Sequence, residues 1–281
     1  MINYEGDLLE DDSLYLNVQN RGFSHADALT ETIRVLPGKI CFWEEHYLRL
    51  MASMRILRME IPMNFTMEFL QEEIFKTIEA SQLSEKTVLA ELYVYVTTSA
   101  DQLQPKRNVS YIISLKEHTS PFYLHPDTEY KVDLYKDFYV QAGMLSGLSS
   151  VNKILNTIGS VYALENGYED CILLNDEKNV VQTLKGNLFL VSEKTIKTPP
   201  LSDGCKNGVI RKKIIELIRK IPEYELKEAS ISPFELQKAD ELFVSNIAEG
   251  IQSITHYRKA TYQTEVAKSI LGKLNAVARL S

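Results

Sequence analysis

The chain has 281 residues, a formal net charge of −7 and 44% hydrophobic residues. That is enough apolar sequence for a substantial core, in one large domain or two modest ones. An acidic balance with no basic stripe argues against a nucleic-acid binder, because neutralising phosphates takes clustered Lys and Arg, although a local site for one small phosphate stays open.

The three cysteines, Cys41, Cys171 and Cys205, are far apart and odd in number. They form neither a metal-ligand spacing nor a disulfide framework and are read as reduced, structural residues; no metal site is expected. The stretch MINYEGDLLEDD at the N-terminus has no basic region and no apolar one, so it is not read as a signal peptide. No apolar run approaches the ~18 residues of a membrane span. The expectation is a cytoplasmic enzyme with a small-molecule substrate and no nucleic-acid or membrane partner.

In chain order, Met1 to Asn20 alternates short apolar pieces with acids and predicts one or two strands of a hairpin. Thr30 to Leu36 is strand-like, the Pro-Gly of LPGK makes a turn, and Ile40 to Trp43 returns as a strand. Glu44 to Met59 predicts a helix, with Tyr47, Leu50, Met51 and Met54 at i, i+3, i+4 and i+7 on one face; Pro62 stops it. Phe65 to Ser81 is a second amphipathic helix, and Val88 to Thr98 and Val109 to Leu115 are β-rich. The first 116 residues therefore read as a small α+β domain. Residues 117–126, with two prolines, read as a connector, and 127–281 as a larger, β-rich α/β domain.

Tyr130 to Gln141 resumes as strand, and Leu148 to Val191 holds the most reaction-like arrangement in the chain. There a lone lysine, Lys153, stands before a helix-like segment, followed by a strand, a turn and two more strands. TPPLSDGCKNG has the turn chemistry of Pro, Asp, Asn and Gly. Gly208 opens a helix that Pro222 closes. Ser232-Pro233-Phe234-Glu235 is a helix start with a capping box. Glu241 to Ser245 predicts a strand, and Val266 to Leu280 an amphipathic helix.

Six stretches, in their order and spacing over roughly residues 1 to 260, resemble the class IV aminotransferases, the pyridoxal-phosphate enzymes that include branched-chain and D-amino-acid aminotransferases and aminodeoxychorismate lyase. They are NRGF with ETIRV after it, EEHYLRL, SSVNKILN, NVVQTLKGNLFLV, TPPL with GVIRKKIIEL, and ADELFVSN. The resemblance implies a D-amino-acid aminotransferase-like fold of two domains, pyridoxal 5'-phosphate as cofactor, and a homodimer. It implies that Lys153 is the Schiff-base lysine and proton shuttle, a role that requires the amine to lose its charge. It puts the phosphate cation at Arg49, the cradle of backbone N–H groups at Val209 and Ile210 after Gly208, and a second loop at Asn246 and Ile247.

The family's glutamate against the pyridine nitrogen falls, counting five back from Asn187, on Gln182. An amide can hydrogen-bond that nitrogen but cannot hold a pyridinium by charge, so transamination would be slow, altered or absent. Other departures are Ser24-His25-Ala26-Asp27-Ala28 where relatives carry glycines, Ile210-Arg211 where they carry Thr-Arg, and Thr97-Thr98-Ser99 in place of an arginine-glycine loop. Candidate substrate contacts are His25, Thr30, Thr97 and Thr98. The Lys-Ile-Leu-Asn motif, with Ile158 where branched-chain enzymes have tyrosine, is more like the D-amino-acid aminotransferase and lyase branch. Two readings follow: a pyridoxal-phosphate enzyme, lyase-like or transaminating, and a degenerate relative that kept the fold for binding or regulation.

Overall fold

A computed structural model describes residues 1–13, 16–97 and 107–280. Two compact units result. One comprises Met1–Pro121 with Ser149–Asn152, the other Phe122–Leu148 with Lys153–Leu280.

In the first unit the hairpin β1 (Ile2–Tyr4) and β2 (Asp7–Leu9) adds to β3 (Ala28–Leu36), β4 (Lys39–Ile40), β5 (Thr87–Val96) and β6 (Val109–His118). They form a six-stranded sheet in the order β2-β1-β6-β5-β3-β4, and each pairing is antiparallel. β5 (TVLAELYVYV) is β-branched and aromatic at most positions, as a strand covered on both faces requires. Ile33, Leu92 and Val94 are fully buried; truncating Ile33 or Leu92 to alanine costs about 2–5 kcal/mol. Three helices accompany the sheet: α1 (Arg21–His25), α2 (Trp43–Ile56) and α3 (Met67–Ala80). Thr66 caps α3, its hydroxyl accepting the Phe69 N–H at 3.2 Å. Ser149–Asn152 joins this sheet: Thr30 N–H donates to Ser149 O at 2.7 Å, and Val151 N–H to Ala28 O at 3.1 Å.

The second unit carries two five-stranded sheets. One runs β16-β15-β7-β8-β9, from β7 (Lys131–Val140), β8 (Asp170–Asn175), β9 (Val180–Thr183), β15 (His256–Tyr257) and β16 (Ala260–Thr261). The other runs β12-β11-β10-β13-β14, from β10 (Asn187–Ser192), β11 (Thr195–Thr198), β12 (Glu225–Glu228), β13 (Glu241–Asn246) and β14 (Gly250–Ile254). Leu134, Ile172, Leu188, Leu242 and Ile254 belong to one buried cluster to which both sheets contribute. The helices are α4 (Ile154–Glu165), α5 (Val209–Ile218), the single turn α6 (Pro233–Leu236) and α7 (Glu265–Leu280). The capping box at Ser232 and Glu235 is present.

Several boundaries differ from the sequence expectation. The returning strand ends at Ile40, because Phe42 turns into the left-handed region (φ 54°) and Trp43 already starts α2. β6 continues to His118 through the start of the expected connector, held by its pairing with β5 down to Thr87↔His118. α5 ends at Ile218, before Pro222, which lies beyond the turn that follows the helix. Of the two alanines in place of glycine, Ala26 takes φ 53° at the end of α1, whereas Ala28 is ordinary strand. His25 is the last residue of α1 and not part of a loop. No helix among the described residues is long and apolar enough to cross a membrane.

Candidate active site

Lys153 is the N-cap of α4, and its backbone is fixed while its side chain is not. Its carbonyl accepts from Thr157 N–H at 2.9 Å and from the Thr157 hydroxyl at 3.0 Å. The side chain takes no part in capping, is exposed, and has no hydrogen bond or ion pair within the described residues. One turn along α4, Asn156 Nδ2 donates to Leu184 O at 2.6 Å. Gly159 packs on the Leu184 side chain, where a Cβ would come within 2.6 Å of Cδ2. The lysine's helix is thereby tied to the turn between β9 and β10.

Gln182 and Asn187 bracket that turn, and their side chains hold the backbone of one residue, Lys206, from both sides. Gln182 Oε1 accepts the Lys206 N–H at 2.8 Å, and Asn187 Nδ2 donates to Lys206 O at 2.8 Å. Two residues on, Asn187 Oδ1 lies where a Cβ on Gly208 would approach to 2.3 Å. Gly208 is the N-cap of α5. The N–H groups of Val209 and Ile210, in its first turn, have no partner among the described residues, while their side chains are buried in the core. Free N–H groups and the positive end of the helix dipole favour an anion there. Asn187 and Ser245 are directly paired across β10 and β13, so their side chains share a face. Ser245 Oγ is buried without a partner among the described residues. Gln182, Leu184 to Asn187 and Lys206 line a small cavity of about 50 Å³.

Other predicted residues are partly committed elsewhere. Asn246 Oδ1 accepts from Glu249 N–H at 2.8 Å, closing the turn between β13 and β14, and Ile247 in that turn is half-buried. Arg211, next to Ile210, is buried and donates to Pro199 O and Glu228 Oε2, both at 2.9 Å. Its guanidinium braces the loop before α5.

In the first unit, Arg49 is held by Glu31. Arg49 Nε donates to Glu31 Oε1 at 2.9 Å and an Arg49 terminal nitrogen to Glu31 Oε2 at 2.5 Å. His46 Nδ1 lies 2.8 Å from the same Oε2. Burial alone would raise the Glu31 carboxyl, but Arg49 and His46 outweigh it and hold it below its ordinary value. Burial lowers His46, against the opposing pull of Glu31. Sequence reasoning missed Glu31 and His46. The signal available was spacing: His46 and Arg49, at i and i+3, share a face of α2.

Thr30 is 1% exposed and its hydroxyl donates to Glu91 at 3.2 Å, so it lies inside the sheet. His25 is exposed, with Nδ1 2.8 Å from Ser24 Oγ. Thr97 lines a cavity of about 230 Å³ together with Tyr4, Glu5 and Tyr95. Thr98 lies outside the described residues.

The family profile described as Amino-transferase class IV matches residues 28–257. The chain belongs to the class IV aminotransferase family. A D-alanine aminotransferase of Listeria monocytogenes is 25% identical over 265 residues, which cover 89% of this chain and 84% of that protein. A branched-chain amino acid aminotransferase from Thermobaculum terrenum, solved in its PLP form, matches with a TM-score of 0.85 at 18% identity, over 100% of this chain and 94% of that one. A putative 4-amino-4-deoxychorismate lyase of Legionella pneumophila gives 0.81 at 21% identity, over 95% and 97%. At these identities the two structural likenesses establish the fold.

Class IV aminotransferases are pyridoxal-phosphate enzymes, aminotransferases or lyases, and the residues present in the second unit fit that cofactor. An unpartnered lysine, the unpartnered N–H groups opening α5, and the orphaned Ser245 hydroxyl are the donor set such a group needs. Gln182, beside this donor set, is a neutral amide.

Proposed function

We propose that this class IV aminotransferase acts on an amino-acid-like or chorismate-derived substrate, as an aminodeoxychorismate-lyase-like enzyme or an amino-acid transaminase, with Lys153 as its reactive residue, in a cytoplasmic homodimer. The observation that carries this reading is the free side chain of Lys153 on a backbone fixed by Thr157 and a helix tied to Leu184.

Bound at Lys153, the cofactor supplies an aldehyde for covalent attachment and an electron-withdrawing ring. Lys153 Nζ would be the point of attachment and the group that takes up and returns the substrate's Cα proton. The N–H groups of Val209 and Ile210 would hold the phosphate, with a second backbone edge at Asn246 and Ile247, and Arg49 is the cation that the family resemblance assigns to it. Glu31 orients Arg49 through its two-point contact. Exposed His25 and Thr97, with Thr98, are the remaining candidates for substrate contacts; Thr30, buried and bound to Glu91, would act only through its strand.

Borohydride reduction followed by peptide mapping tests the reading. Cofactor fixed on Lys153, and loss of bound-cofactor absorbance in Lys153→Ala, are expected; a protein that carries none overturns it. Release of 4-aminobenzoate and pyruvate from aminodeoxychorismate with no keto acid added identifies the lyase, whereas a keto-acid-dependent product identifies the transaminase. The second reading, a degenerate relative, is favoured by the run of departures at Gln182, Ile210, Ala26 and Ala28 and by Thr97-Thr98-Ser99 in place of an arginine-glycine loop. A large gain of transaminase activity in Gln182→Glu would support it, while loss of an existing activity would mark altered chemistry.

A further inference from the structure

The peptide clamp around Lys206 fixes which end of the Gln182 amide is free. A backbone N–H can only donate, so the atom facing Lys206 N at 2.8 Å is the carbonyl oxygen Oε1; the flipped amide would set two donors against each other. The next peptide along is held as well, since Asn187 Nδ2 donates to the Lys206 carbonyl at 2.8 Å, so Lys206 is fixed on both sides. Asn187 is itself fixed, with Oδ1 packed on Gly208. Gln182 is 6% exposed on β9, between Val181 and Thr183, both fully buried. Its Oε1 is spent, and no partner for Nε2 is found among the described residues.

We infer that Gln182 presents a hydrogen-bond donor to the cofactor's pyridine nitrogen and so keeps that nitrogen unprotonated. This rests on the assignment of the cofactor to Lys153 proposed above. A nitrogen that accepts from an amide N–H uses its lone pair to do so and has no site left for a proton. A carboxylate at this position would behave oppositely. One oxygen would still accept the Lys206 N–H, and the other would accept from a protonated ring nitrogen. Gln182→Glu therefore preserves the clamp and inverts only the group that faces the ligand. The ring becomes a weaker electron sink, which disfavours a long-lived carbanion at the substrate Cα.

The experiment is ¹⁵N NMR of the holoenzyme loaded with pyridoxal phosphate labelled at the ring nitrogen, with borohydride mapping of Lys153 on the same sample. The expected result is a free-pyridine shift in the unmodified protein that does not move across neutral pH, and a pyridinium shift in Gln182→Glu. A pyridinium shift in the unmodified protein, with cofactor fixed on Lys153, overturns the inference and leaves the proposed function standing. Failure to find cofactor on Lys153 overturns both. The unmodified protein decides the matter alone should Gln182→Glu not fold.

Discussion

Asn187 and Gly208 are in contact so close that no side chain fits at Gly208: a Cβ there would lie 2.3 Å from Asn187 Oδ1. Gly208→Ala must therefore displace Asn187, release Lys206 O, or shift the start of α5. Overpacking of this kind costs about 1–3 kcal/mol. Because the strain falls on the N-terminus of α5, cofactor affinity is expected to drop roughly tenfold or more, read by equilibrium dialysis against pyridoxal phosphate. Unchanged affinity in a folded protein would remove α5 from the phosphate site.

Glu31 gives the first unit an acid-sensitive stability. Its carboxyl is held below the ordinary value of 4.5, so it contributes stability above that pH which is lost as pH falls through its depressed value. His46 is also lowered, from 6.5, mainly by burial. Between its depressed value and 6.5 the unfolded chain takes up a proton that the folded one refuses, so this group too destabilises as pH falls. Thermal unfolding followed from neutral pH downward should show a falling midpoint that begins near 6.5. Replacing His46 with Gln should remove the upper part of that fall. Glu31→Ala, which removes the buried carboxylate that Arg49 and His46 share, should cost about 3–5 kcal/mol at neutral pH.

The three cysteines are buried and unpaired. Burial pushes the thiols of Cys41 and Cys205 up to about 11 and that of Cys171 up to about 12. The thiolate is the reactive form. Native protein at neutral pH should be inert to a thiol reagent such as 5,5'-dithiobis(2-nitrobenzoate), and all three should titrate on unfolding. A fast-reacting native thiol would contradict the packing around it.

Ala26 is held in the left-handed region, φ 53°, at the end of α1. A non-glycine residue pays about 1–2 kcal/mol there, partly offset by the entropy that glycine loses on folding. Ala26→Gly should stabilise the protein by up to about 1 kcal/mol, seen as a higher urea midpoint with an unchanged slope.

The strands β8, β9 and β10 and the turns between them were legible in the alternation of apolar residues and turn residues, and the helices by period and caps. Those signals are local, which is why they are legible in one dimension. Helix ends were less so: α5 stops at Ile218, where its turn closes on Ile215 and Leu217 carbonyls, ahead of the proline that looked like the stop. The partnership of Glu31 with His46 and Arg49 joins a strand to a helix at separations of 15 and 18 residues, and no periodicity reports it.

The amino-acid sequence by itself determined the family and the order of the elements, and it puts a neutral side chain at Gln182, because each is a matter of residue identity at a spacing. Only the tertiary structure decided which end of that amide is bound. A glutamine can donate or accept, and which end is free depends on the Lys206 N–H, 24 residues away in sequence, that claims its oxygen.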